Sequence, residues 1–121
     1  MGCDVHASIE FEAWPGQERA WDRYADLSLW RNYNVFGFMA GVRGDGPAVV
    51  EPRGFPPDMA SEPTGDHTPC WLTTQEFRKA LELADPKFPG TSYDYWATLA
   101  AMEEIERRGG KRCRLVFNFD S

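Results

Sequence analysis

Apolar and polar side chains alternate at both ends of this chain, and this pattern constrains the fold more than any other feature. In residues 3–11 the odd positions are apolar and the even positions are polar, and residues 113–120 largely repeat the pattern. A period of two is typical of a β-strand with one buried face. Two such strands predict an antiparallel sheet whose apolar face is covered by helices.

Three helices are predicted between these strands. Thr73 and Glu76 form a capping box before an apolar helical stripe that Pro86 ends. A longer helical stripe ends at Gly109-Gly110, and residues 31–42 have a short amphipathic pattern that Gly37 weakens. The fold class is therefore α+β, with two or three helices on the sheet.

Two connections complete the predicted fold. A turn signal at residues 14–17, followed by a short returning strand at residues 19–24 that contains Trp21, predicts a hairpin with the first strand. Residues 43–70 contain ten Gly or Pro in 28 positions, which predicts a long ordered loop or lid ending in a tight turn at His67.

Length and composition limit the class of protein. A chain of 121 residues predicts a single domain spanning 1–121. The net charge of −6 argues against broad binding to nucleic acid or anionic lipid. No apolar run approaches the roughly 20 residues that cross a bilayer, and no leader precedes Cys3, so no membrane partner is predicted.

The cysteines indicate a reducing compartment. Three cysteines without a C-x-x-C pair make a disulfide framework or a zinc ribbon improbable, so we expect a cytoplasmic protein. Cys3 and Cys113 fall on apolar strand faces and are predicted core residues. Cys70 could be a ligand or a thiolate if cationic groups surround it. The sequence leaves the oligomeric state open.

The first candidate site is the polar row of the first strand. Asp4, His6, Ser8 and Glu10 point to one face, with neighbours about 6.6 Å apart. An Asp and a His at this spacing can hold one metal ion or flank one phosphate. The alternative is a row that water simply solvates.

The second candidate site is the segment Asp66-His67, which contains the other histidine of the chain. Imidazole can act as a general acid or base, a metal ligand or a phosphate donor. The alternative is a turn in which Asp66 caps the backbone and His67 packs on Trp71.

The third candidate site is a set of arginines beside glycines, with aromatic side chains nearby. Guanidinium groups next to permissive backbone suit the capture of phosphate or carboxylate, and indole or phenol rings can stack on a base. The arginines are Arg31, Arg43 and Arg53, and the aromatic residues are Trp30, Tyr33 and Trp71. The alternative is surface ion pairing.

Six segments also resemble, in order, a family of small phage and bacterial proteins. Residues 1–6 (MGCDVH), 31–33 (RNY), 40–43 (AGVR), 52–58 (PRGFPPD), 66–73 (DHTPCWLT) and 114–120 (RLVFNFD) resemble the family's MGCDIH, RNY, AGVR, PRGLPD, DxHSxSWLT and RIVFWFD. The chain departs from the family where Asp66 directly precedes His67 and where Cys70 replaces a serine, which argues against a nucleophile at position 70.

The resemblance implies a small cytoplasmic protein, in the host cytoplasm if a phage encodes it. It groups into one site the residues Asp4, His6, Arg31, Arg43, Arg53, Asp66, His67 and Trp71. Some phage proteins of this size block bacterial defence by sequestering or cleaving nucleotide second messengers, which is an analogy of context.

Three functions follow as hypotheses. The first is a phosphodiesterase-like hydrolase of a nucleotide-derived small molecule, in which Asp4, His6, Asp66 and His67 perform catalysis. Asp4, His6 and His67 could share a divalent metal, while the arginines, Tyr33 and Trp71 bind the ligand. The second is a binding protein that sequesters the same ligand, and the third is an acidic inhibitor that mimics another protein. For the candidate site, we predict that Asp4, His6 and His67 converge on one pocket.

Overall fold

A computed structural model describes residues 2–121 and has the predicted α+β architecture. The four strands form one antiparallel sheet in the order β2-β1-β4-β3, so the first and last strands lie side by side at its centre. The elements, in chain order, are β1 (Asp4–Glu12), β2 (Trp21–Leu27), α1 (Tyr33–Ala40), β3 (His67–Thr73), α2 (Thr74–Ala84), α3 (Tyr93–Gly109) and β4 (Cys113–Asp120).

The core lies between the apolar face of the sheet and the three helices. It contains the odd-numbered side chains of β1 and β4, as predicted, together with Leu99 and Met102 of α3. The predicted capping box of α2 is present, and Gly110 ends α3 in the left-handed conformation. None of the helices within residues 2–121 is long and apolar enough to cross a membrane.

The predicted loop 43–70 is wrong at its end, where β3 begins at His67. Cys70 and Leu72 are fully buried, so this strand does alternate, but Thr68 and Pro69 interrupt the pattern near its start. Thr68 has a φ of 52°, and the register with β4 shifts between His67 and Cys70. Proline and such an irregularity are tolerated because β3 is an edge strand.

The polar face of the sheet is covered by residues 53–66, which we call the strap. Gly54 N–H donates to the Pro69 carbonyl, and Asp58 accepts from Arg114 Nη1 at 3.1 Å. Farther along the strap, the amides of Ala60 and Ser61 donate to Glu10 at 2.8 and 2.7 Å. Part of the polar row is therefore buried, and the alternative of a fully solvated row is wrong.

Candidate functional site

His6 is held at the end of the polar face between a carboxylate and a hydroxyl. Because Asp4 is paired with Asp120 across β1 and β4, the Asp120 carboxylate lies within reach of His6 Nε2 and is hydrogen-bonded to it. The other ring nitrogen, Nδ1, is 3.3 Å from Oγ1 of Thr64 on the strap. An ionised carboxylate only accepts, so Nε2 carries a proton, and in the neutral imidazole Nδ1 is then the acceptor.

A cleft of about 690 Å³ opens beside His6, between β1, β2 and the strap. Ser8 Oγ donates to Asp26 Oδ1 at 2.6 Å, and Arg23 Nη1 donates to the same carboxylate at 3.2 Å. Asp22 and Glu62 add two more carboxylates to the wall. The cleft therefore combines one imidazole and one guanidinium with three acidic groups.

Arg31 and Asp4 form an ion pair next to His6. Arg31 Nε and Nη2 donate to the two oxygens of Asp4 at 2.7 and 3.3 Å, and this hydrogen bonding lowers the pKa of the Asp4 carboxyl. Gly2 lies against the guanidinium, since a Cβ at that position would be 2.0 Å from Arg31 Nη1. Of the three predicted phosphate-binding arginines, Arg31 is the one beside His6.

His67 does not face the same pocket as His6. It is paired with Phe119, its ring stacks on that phenyl ring at 6.1 Å, and its nitrogens hydrogen-bond the hydroxyls of Thr68 and Ser121, both at 2.9 Å. Phe119 belongs to the helix-facing side of β4, whereas His6 shares the polar face with Asp120. The predicted convergence is wrong because the histidines lie on opposite faces, although both are at one end of the sheet.

The predicted metal site is not assembled. Within residues 2–121, no three His, Cys, Asp or Glu side chains are gathered around a position where they could hold one ion. Asp4 and His6 share the polar face, but His67 points to the other face. Asp66 is exposed, and its backbone N–H donates to the Phe119 carbonyl at 2.8 Å, so the structure does not bring it to His6.

The remaining predicted ligand-binding residues have contacts away from His6. Arg53 lies 3.8 Å over the Trp71 ring, donates to the Trp71 carbonyl at 3.0 Å and pairs with Glu76. Arg43 lies 5.7 Å from the Tyr33 ring, and Tyr33 Oη accepts from the Cys3 amide at 3.0 Å. These contacts join the strap and α1 to the sheet.

All three cysteine thiols are buried. Burial raises the pKa of the Cys113 thiol to about 12, and burial also raises the pKa of Cys70. We therefore expect the folded protein to react with a disulfide reagent such as DTNB at neutral pH about 100-fold more slowly than the protein in urea. Fast reaction of one thiol in the folded state would contradict this assignment.

Two residues of the site were not predicted from the sequence: Asp120 and Thr64. The signal for Asp120 was available, because pairing the first and last strands antiparallel places the end of one beside the start of the other. Thr64 had no such signal, because its position depends on the path of the strap.

Searches against protein-family models, curated proteins and solved structures each find no match for this chain. The resemblance to small phage and bacterial proteins therefore stays a prediction, and the site must be interpreted from its own geometry.

Proposed function

We propose that this protein is a small-molecule hydrolase of the phosphodiesterase type, which acts on a nucleotide-derived ligand with His6 as general base. The observation that carries the proposal is the arrangement of Asp120, His6 and Thr64 beside an open cleft. A carboxylate that orients an imidazole, and leaves the second ring nitrogen facing a hydroxyl, is a recurring arrangement for proton transfer.

His6 supplies the proton transfer in this proposal. A water molecule beside the Thr64 hydroxyl, within reach of Nδ1, gives its proton to Nδ1 as its oxygen attacks phosphorus, and the Asp120 carboxylate stabilises the resulting imidazolium. As the ester P–O bond breaks, the leaving oxygen takes that proton from His6. The reaction thus consumes one water and returns the imidazole to its starting state.

The charges around His6 favour one orientation of the ligand. The wall formed by β2 and the strap carries three carboxylates and one guanidinium, that of Arg23. Its net negative charge disfavours an anionic phosphate there. On the other side of His6, the Arg31 guanidinium uses Nε and Nη2 for Asp4 and is about half exposed. We therefore expect the phosphate at the end of the cleft nearest Arg31, within reach of His6 Nδ1, where it can accept from the remaining guanidinium N–H groups.

His6→Ala should lower the rate of phosphodiester hydrolysis by about 100-fold or more, because it removes the general base. The measurement uses bis(4-nitrophenyl) phosphate and a panel of linear and cyclic nucleotides, with and without added Mg²⁺ or Mn²⁺, analysed by chromatography. His67→Ala is the matched control and should leave the rate within about twofold, because that imidazole lies on the other face. Intact recovery of every substrate from the wild-type protein would overturn the proposal.

A second candidate function, capture of the nucleotide without turnover, is favoured by one specific observation. His6 is the one imidazole that lines the cleft within residues 2–121, so no second imidazole is placed to protonate a leaving group. In that case the bound ligand would be recovered intact, and His6→Ala would weaken binding by about 10-fold, as expected for a lost charge-assisted hydrogen bond.

A further inference from the structure

Trp30 combines an exposed ring with a backbone that the fold holds in place. Its side chain is among the most exposed of the large apolar residues, at 73%. Its amide donates to Asp94 Oδ2 at 2.8 Å, and its carbonyl accepts from Tyr95 Oη at 2.6 Å. Tyr95 is fully buried in the core, so α3 fixes the point from which the Trp30 ring projects.

The Trp30 ring lies beside the site of the proposed reaction. It lines a cleft of about 520 Å³ together with Asp4 and Arg31. Asp4 is two residues before His6 and shares the polar face with it. An aromatic ring, a guanidinium and an imidazole therefore follow one another along this end of the sheet.

We propose that Trp30 is a stacking platform for a nucleobase, and that it selects nucleotides whose phosphate lies at Arg31. An exposed indole face stacks on any planar base, and an adjacent guanidinium is complementary to the phosphate of the same nucleotide. This inference rests on the proposed function in one respect, because the base that it assigns to Trp30 belongs to the nucleotide ligand of that proposal. It requires binding only, and it holds with or without turnover.

The second strongly exposed tryptophan provides a matched control. Trp14 is 62% exposed and lies in the turn after β1, at the opposite end of that strand from His6. Its backbone contacts are the local hydrogen bonds of that turn, with Ala20 and Gln17. Removal of this ring changes the exposed aromatic surface of the protein by a similar amount without changing the site.

The test compares two probes, AMP and ribose 5-phosphate, by isothermal titration calorimetry. Trp30→Ala should weaken AMP binding by about 10-fold and leave ribose 5-phosphate binding unchanged, because only AMP carries a base. Trp30→Phe should retain most of the AMP affinity, and Trp14→Ala should retain all of it. Arg31→Ala should weaken AMP and ribose 5-phosphate together. Circular dichroism and thermal unfolding verify that each variant is folded.

Several outcomes overturn the inference: no AMP binding at millimolar concentration, equal affinity of the wild-type protein for AMP and ribose 5-phosphate, or equal losses in Trp30→Ala and Trp14→Ala. These outcomes are separate from failure of the proposed function. Trp30-dependent AMP binding without hydrolysis of any substrate supports the platform and rejects the hydrolase. The opposite result is hydrolysis that depends on His6, with Trp30→Ala as active as the wild-type protein on nucleotides and on bis(4-nitrophenyl) phosphate. That result rejects the platform and supports the hydrolase.

Discussion

Phe117→Ala should lower the free energy of unfolding by about 3–5 kcal/mol, the usual cost of removing a buried phenyl ring. Phe117 is fully buried on β4, where it is paired with Ala7 of β1 and Cys70 of β3. Its ring contacts Phe119 edge to face, with centroids 5.8 Å apart. Neighbours on both sides and in the helical layer prevent the site from closing around a truncated side chain.

Urea unfolding monitored by circular dichroism measures this change. Phe88→Ala is the matched control, since the Phe88 side chain is 49% exposed and its loss should cost less than about 1 kcal/mol. A loss of less than about 1 kcal/mol for Phe117→Ala would show that the inward face of β4 is wrongly assigned.

The core around Phe117 could be predicted from the sequence because strand periodicity determines which side chains share a face. A period of two in β1 and β4 is enough to place Ile9, Leu115 and Phe117 on the apolar side of the sheet. The helices were similarly predictable, because the capping box of α2 and the glycine after α3 are local signals. Local sequence patterns therefore predict most of the strands and helices.

Strand β3 could not be predicted, because its stability comes from pairing with β4 and not from its own pattern. The strand begins at His67, and Thr68 with positive φ and Pro69 follow directly. Local propensity in this segment favours a turn. Hydrogen bonding to β4 and the burial of Cys70 outweigh this turn preference. The pairing with β4 also places the His67 ring against Phe119.

The candidate site was predictable to the extent that it depends on one strand. Alternation placed Asp4 and His6 on one face, but it contains no information about a residue in a different strand or in the strap. Asp120 and Thr64 reach His6 through tertiary pairing. The same limit explains why Arg43 and Arg53 were grouped with His6, although the structure places their guanidinium groups over the rings of Tyr33 and Trp71.

The buried ion pair between Glu10 and Arg114 leads to a second prediction of similar size. Both side chains are almost completely excluded from solvent, and Glu10 also accepts hydrogen bonds from the amides of Ala60 and Ser61. Glu10→Ala should lower the free energy of unfolding by about 3–5 kcal/mol, because it leaves the Arg114 charge buried without this partner. It also leaves two strap amides without an acceptor.

Glu12→Ala is the matched control for this prediction. Glu12 lies two residues farther along the same face and also pairs with an arginine, but Arg112 is exposed and remains solvated when its partner is lost. Its replacement should cost about 1 kcal/mol or less. Urea unfolding gives both values, and hydrogen exchange at residues 60 and 61 should accelerate in Glu10→Ala alone. Unchanged protection of those two amides would contradict the role assigned to Glu10.

Release of the strap should also lower the rate of the proposed reaction at His6. Thr64 follows Ser61 by three residues, and its hydroxyl is placed at His6 Nδ1 by the path of the strap. Glu10 is absent from the residues that line the cleft, yet Glu10→Ala should reduce hydrolysis, whereas Glu12→Ala should not. Loss of stability in Glu10→Ala with full activity at a temperature where the variant is folded would show that the strap covers the sheet without positioning the site.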